Sequence, residues 1–124
     1  MFIKIRYFRN LNQFVNILDI FSRMASSNQN IITSVNFEIH GKVQGVFFRK
    51  NTRRTAQKFG LVGWVRNTRH NTVEGQVQGA QDKVNLMKVW LKEKGSKNSV
   101  ITKADFKNEK EISAPEHEEF VIRQ

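Results

Sequence analysis

The sequence predicts an α+β sandwich in which two helices cover one face of an antiparallel sheet, and three observations carry that expectation. Apolar and polar residues alternate from Val35 to His40 and again from Val100 to Phe106, the period-2 pattern of strands buried on one face. Apolar residues recur at helical spacing twice, over Phe48 to Phe59 and over Gln81 to Lys94, and each run ends at a glycine, Gly60 or Gly95, which is a natural helix stop. Between the two helical runs stand two short strand-like segments, LVGWVRN and VEGQVQG, separated by the polar stretch Thr68 to Asn71.

Taken in order, Val35, Phe37 and Ile39 alternate with Asn36, Glu38 and His40 in the first strand. Gly41 to Gly45 (GKVQG) then reads as a loop, because two glycines and a lysine interrupt the alternation before any helical pattern begins. The first helix places Phe48, Thr52, Thr55, Ala56 and Phe59 on one side, with Arg49, Lys50, Arg53, Arg54 and Lys58 elsewhere. Leu61 to Asn67 and Val73 to Gly79 form the second and third strands, joined as a hairpin. The second helix carries Val84, Met87 and Leu91 on one stripe with Trp90 beside it. Val100, Thr102, Ala104 and Phe106 alternate in the fourth strand, and Phe120 with Ile122 mark a short fifth after the Pro115 loop. The order β-α-β-β-α-β plus a short strand is the split βαβ, ferredoxin-like arrangement.

Length bounds the rest: 124 residues make one domain, or a smaller one with a tail. A hydrophobic fraction of 39% with ten Phe and two Trp supplies a core. The absence of Cys excludes a disulfide scaffold and thiolate chemistry, and the isolated His40, His70 and His117 show no metal-ligand spacing. No metal and no cofactor are therefore expected. A net charge of +10 points to an anionic partner, whether a phosphate compound, nucleic acid or a membrane surface.

All seven Gly and the single Pro lie at or after Gly41, whereas four of ten Phe and the only Tyr lie before residue 22. The chain divides accordingly into an N-terminal extension, residues 1 to 33, and a folded domain, residues 34 to 124. In the extension Ile3, Tyr7, Leu11, Phe14, Leu18 and Phe21 fall along one helical stripe, with Lys4, Arg6, Arg9 and Arg23 against the lone acid Asp19. That pattern suits a mitochondrial targeting leader or a helix making weak contact with a membrane surface. The alternative is a leader with no part in the fold, Met24 serving equally well as a start. The expected location is the cytoplasm, or mitochondria if residues 1 to 23 act as a targeting signal.

Chemistry concentrates in the string GKVQGVFFR, residues 41 to 49. A short loop at a helix N-terminus offers backbone N–H groups without intrahelical partners, and the helix dipole adds positive charge, so such a loop cradles an oxyanion. Arg49, in the first helical turn, can fold its planar fork over that anion. Spacing rules out a Walker A loop and GxGxxG. The plain alternative is a strand-to-helix connection with Arg49 solvated. A second string, GWVRN, ends the second strand, which is expected to run antiparallel beside the cradle and to bring Asn67 to the same pocket. Asn67 can donate and accept, which suits a water held in one orientation; otherwise it only opens the hairpin turn. Trp64 reads as packing, Arg66 as a solvated charge and His40 as an exposed strand residue.

With GKVQGVFFR, LVGWVRNT and VEGQVQG in this order, residues 35 to 124 closely resemble the acylphosphatase family, small hydrolases of carboxyl-phosphate bonds. The resemblance runs on through AQDKVNLMKVWLKEKGS and the terminal FVIR. It implies that Arg49 binds the phosphate, that the backbone of Gln44, Gly45, Val46, Phe47 and Phe48 forms the anion cradle, and that Asn67 orients the attacking water. It implies a small acyl phosphate as substrate, no metal, and a monomer. An acyl phosphate already has a good carboxylate leaving group, so water positioning and charge stabilisation suffice, and the substrate phosphate is expected to take the water proton. The competing reading is an RNA-binding sheet. Against it, the third strand carries no aromatic residue.

Overall fold

The computed structural model describes residues 31–124, so the amphipathic stripe and targeting leader read in residues 1 to 23 lie outside the described residues. The elements are β1 (Ile32–Lys42), α1 (Phe48–Lys58), β2 (Val62–Asn67), β3 (Val73–Ala80), α2 (Gln81–Val89) continued by one π-helical turn (Trp90–Lys94), β4 (Val100–Ile112) and β5 (Phe120–Ile122). They form one five-stranded sheet in the order β4-β1-β3-β2-β5. This is the expected ferredoxin-like α+β fold.

Every strand pair is antiparallel except β2 with β5, which is parallel. The four main strands are antiparallel as expected, and the short fifth strand, whose direction the sequence left open, makes the sheet mixed. The cause lies in the connection after β4. That strand finishes with Ile112 opposite Ile32, at the end of the sheet where β1 starts, and β5 begins with Phe120 opposite Gly63, where β2 starts. Crossing the sheet along one end leaves the chain running the same way as β2. The crossing is tied down: Gln78 Nε2 donates to Glu116 Oε1 (2.8 Å), the Glu116 amide donates to Gln78 Oε1 (2.7 Å), and His117 Nε2 lies 2.7 Å from Gln76 Oε1.

Alternation sorts the two faces as the sequence indicates. Val35, Phe37, Ile39, Val65, Val73 and Val77 turn inward, where Phe48, Ala56, Val84, Met87 and Leu91 from the helices meet them in one buried cluster. The opposite face is polar, with Gln76 Nε2 donating to Asn36 Oδ1 (2.9 Å) and Gln78 Nε2 to Ser34 Oγ (3.0 Å) across β1 and β3. Thr52, on the buried side of α1, satisfies its hydroxyl by donating to Phe48 O at 2.7 Å. Within α2 the expected stripe holds, and the helix ends in a π turn closed by the Gly95 amide on Trp90 O at 2.9 Å.

Two strand lengths depart from expectation. β4 continues to Ile112, well past Phe106, because as an edge strand its second half is exposed on both faces and needs no alternation. β1 continues through Gly41 and Lys42, which pair with Ile101 and Val100 after a register shift at His40, so the loop read from Gly41 begins two residues later. Gly41 is required there: at φ +125° a Cβ would stand 2.0 Å from Val100 O. Gly41→Ala should therefore cost about 2 kcal/mol or more, as strain plus backbone displacement. An unchanged urea midpoint in that variant would contradict the close approach.

Candidate functional site

β1 and β2 both run antiparallel to β3, which lies between them, so they are parallel to each other and finish at the same end of the sheet. The expectation that β2 lies antiparallel beside the loop after β1 is therefore corrected. An antiparallel β2 would have carried Asn67 to the far end. The intervening β3 brings Asn67 and the loop to one end without a ladder between them.

That loop, residues 43 to 47, is anchored by buried apolar side chains. Val43 and Val46 are buried, as is Phe48 at the start of α1, while Gly45 and Phe47 face outward. Gly45 (φ +74°) and Phe47 (φ +60°, ψ +25°) are both left-handed, and two such turns in a short stretch give the backbone a concave edge. For a phenylalanine this conformation costs about 1 to 3 kcal/mol. It is held by Asn51, whose backbone N (3.0 Å) and Nδ2 (2.9 Å) both donate to Phe47 O. Among the described residues, the amides of Gln44, Gly45, Val46 and Phe47 donate to no backbone carbonyl. Nor does the N-terminus of α1 have a side-chain cap or an acid in its first turn. Free donors and an unopposed helix dipole therefore converge where Arg49 and Lys50 stand, an arrangement that attracts an oxyanion. A cavity of about 310 Å³ opens here, lined by Val43, Gly45, Phe47, Phe48, Arg49, Lys50 and Ile122.

Asn67 closes β2 on the same side of the sheet as Val65, half buried, and its Oδ1 is shielded without a hydrogen-bond partner among the described residues. Asp82 Oδ1 and Ser96 Oγ share that condition, so position gives the Asn67 oxygen its meaning. Asn67 lines a second cavity, of about 470 Å³, with Glu38, Arg66, Thr68, Arg69, His70, Glu74 and Gln124. Arg49 and Asn67 thus border two hollows that share no lining residue, and the free amides lie beside the smaller.

What joins the two is the Gln44 side chain, for which the motif suggested only a backbone role. Its Nε2 donates to Thr68 O (3.0 Å) and Thr72 O (2.9 Å), on both sides of the hairpin turn after Asn67. Thr72 Oγ1 gives its proton to Glu38 Oε2 (2.7 Å), so the 2.6 Å contact between the two threonine hydroxyls runs from Thr68 to Thr72. Thr68 Oγ1 then accepts from the His70 amide at 3.1 Å. Sequence reasoning missed Gln44's side chain, Thr68, Thr72 and Glu38 as a unit. The one available signal was a pair of threonines bracketing the turn.

Three side chains on the polar face also differ from expectation. Trp64 points away from the core because its parity opposes that of Val65, and the guanidinium groups of Arg66 (5.3 Å) and Arg123 (4.6 Å) both lie against its ring. Arg66 is paired, its Nε donating to Glu74 Oε2 at 2.6 Å. His40 is half buried with Nε2 at 3.2 Å from Asp105 Oδ2 and 4.0 Å from Glu38 Oε1. Glu38, His40 and Asp105 bring possible metal ligands within 4.8 Å of one another, a grouping hidden from sequence because Asp105 comes from β4. These groups already bind each other, with Lys103 Nζ 3.6 Å from Asp105 and Thr72 on Glu38, and they form a cross-strand ion cluster.

Comparison with known proteins shows the family to which the chain belongs. The family model described as acylphosphatase matches residues 35–122. Acylphosphatase-1 of Gallus gallus is 54% identical over 92 residues, covering 74% of this chain and 93% of that protein. Acylphosphatase-2 of Mus musculus is 49% identical over 104 residues, covering 84% and 98%. Among solved structures, an acylphosphatase from Coxiella burnetii superposes with a TM-score of 0.66 at 32% identity, covering 79% of this chain and 99% of that one.

The Gln44 bridge has a measurable consequence. Gln44→Ala leaves two half-buried carbonyls without their donor and should lower unfolding free energy by about 1 to 3 kcal/mol. Gln44→Glu, which turns acceptor oxygens toward those carbonyls, should cost more. Denaturant midpoints equal to the parent's in both variants would show that the bridge contributes nothing.

Proposed function

Because the chain belongs to the acylphosphatase family and hydrolyses acyl phosphates, we propose that Arg49 and the amides of Gln44, Gly45, Val46, Phe47 and Phe48 hold the phosphoryl group while Asn67 orients the water. The observation that carries this reading is the buried, unpartnered Oδ1 of Asn67 at the same end of the sheet as an uncapped helix N-terminus. A buried acceptor without a donor costs about 1 to 3 kcal/mol, and a water donating to Asn67 Oδ1 relieves that cost while its own lone pair turns toward phosphorus.

In the reaction, the water oxygen bonds to phosphorus as the bond from phosphorus to the acyl oxygen breaks. The electron pair leaves on the carboxylate, and the water proton passes to a phosphoryl oxygen. The products are a free carboxylate and inorganic phosphate. A carboxylate is stable without protonation, so no general acid is needed. Negative charge on the phosphoryl oxygens meets the guanidinium of Arg49 and backbone donors fixed before the substrate arrives, which is where most of the acceleration is expected. Glu38 and Glu74 are engaged with Thr72 and Arg66, which supports proton transfer to the substrate itself. No metal takes part in the proposed mechanism.

The polar sheet face supports a small-molecule substrate over RNA. Its β1 and β3 present Asn36, Glu38, Glu74 and Gln76, and the one ring that β2 adds, Trp64, is already covered by the guanidinium groups of Arg66 and Arg123 and not open for a base to stack on.

Kinetics separate the two residues. Arg49→Ala should weaken inhibition by inorganic phosphate and also reduce turnover, since the guanidinium meets the anion in ground and transition states alike. Asn67→Ala should cut turnover by about 10²-fold, the scale of a misplaced nucleophile, while phosphate inhibition stays close to the parent's. Turnover equal to the parent's in Asn67→Ala would return that residue to a turn former. Activity should also survive exhaustive chelation, and acyl phosphates should be cleaved far faster than alkyl phosphate monoesters, whose leaving groups need an acid. Reversible loss of activity with chelator, or comparable rates on both substrates, would exclude the mechanism.

A further inference from the structure

Phe47 is 73% exposed, and no packing contact among the described residues accounts for the ring. Its neighbours Val46 and Phe48 are buried and fasten the loop to the core. Phe47 instead occupies the left-handed position before α1, where glycine or asparagine would serve the backbone with less strain. The side chain therefore adds strain and leaves an apolar ring in water. The backbone that carries it is nonetheless fixed, because both nitrogens of Asn51 donate to the Phe47 carbonyl at 3.0 and 2.9 Å. The ring also shares a cavity with Arg49, two residues on, and with the half-buried Ile122 of β5. One wall of that cavity is cationic and another is apolar.

Resting on the hydrolase reading, we propose that the Phe47 side chain is a specificity determinant. It receives the acyl group of the substrate and favours aromatic and other bulky apolar acyl phosphates over acetyl phosphate. An acyl phosphate has the same two-part character as the cavity, an anionic phosphoryl group joined through one oxygen to a carbon skeleton. With the phosphoryl group at Arg49 and the loop amides, the acyl group emerges within reach of Phe47 and Ile122. A benzoyl ring can cover Phe47 by offset or edge-to-face contact, and it removes apolar surface from water on both partners. An acetyl methyl covers little of it. Because the backbone beneath Phe47 is already fixed, little ordering accompanies binding.

The test separates acyl recognition from catalysis by using inert anions beside substrates. Phe47→Asn removes the ring and keeps a residue that tolerates the left-handed backbone; Phe47→Tyr keeps the ring. Calorimetry gives the Kd of phenylphosphonate and of methylphosphonate for the full chain and each variant, and initial rates give kcat/KM for benzoyl and acetyl phosphate. Phe47→Asn should lower the preference for phenyl over methyl about tenfold in Kd, the scale of lost apolar contact in a specificity pocket. The benzoyl-to-acetyl ratio of kcat/KM should fall by a similar factor, mainly through KM, and Phe47→Tyr should restore both ratios. Unchanged ratios in Phe47→Asn overturn the proposal, and the ring is then left as a docking point for another protein surface. A phenyl preference that depends on Phe47 in a chain that hydrolyses neither substrate would support the apolar subsite and refute the proposed reaction.

Discussion

Two hairpin carbonyls, those of Thr68 and Thr72, receive the amide of one side chain, Gln44, and the geometry of the site depends on that bridge. Hydrogen bonds of the sheet cannot do this work. β3 separates β1 from β2, so no ladder links the loop that follows one to the hairpin that follows the other. A side chain with two donors spans the gap, and the circuit closes when Thr72 donates back to Glu38 on β1 at 2.7 Å. The loop bearing the free amides and the hairpin following Asn67 are thereby held in one frame. In a half-buried setting such linked bonds reinforce one another.

Electrostatics on the two sides of the sheet are arranged differently, and the difference favours a phosphate. Acids on the polar face have partners: Glu74 pairs with Arg66, Asp105 with Lys103 and the His40 ring, and Glu38 accepts from Thr72. On the helical side, α1 carries Arg49, Lys50, Arg53, Arg54 and Lys58 without a single acid. Much of the net charge of +10 is thus unopposed around the helix whose N-terminus faces the cavity. The resulting field raises the local concentration of anions before any specific contact forms.

Rigidity of the cradle comes from the core beneath it. Val43, Val46 and Phe48 are buried along the loop and at its end, and the Phe48 ring lies 5.7 Å from that of Trp90 at a 43° tilt. Moving the loop would expose these side chains. The outward residues between them are therefore held at fixed positions, which allows Phe47 to remain left-handed and leaves the loop amides organised for an anion before it arrives.

The sequence by itself determined the element order, the inward residues and the two motifs, because alternation and helical spacing are local and each apolar side chain must find the same core. Arg49 and Asn67 stood out through the family resemblance, because taken alone one string also fits a plain strand-to-helix connection and the other a turn residue. Strand ends were less visible: the exposed half of β4 lacks alternation, and Gly41 looks like a loop residue until β4 pairs with it. Only the tertiary structure decided that β2 runs parallel to β1 with β3 between them, that Trp64 faces Arg66 and Arg123, and that His40 meets Asp105. It alone revealed the Gln44, Thr68, Thr72 and Glu38 circuit. Those contacts join residues up to 65 positions apart, and neither spacing nor composition records which strands lie side by side, since that is settled by how the whole chain buries its apolar surface.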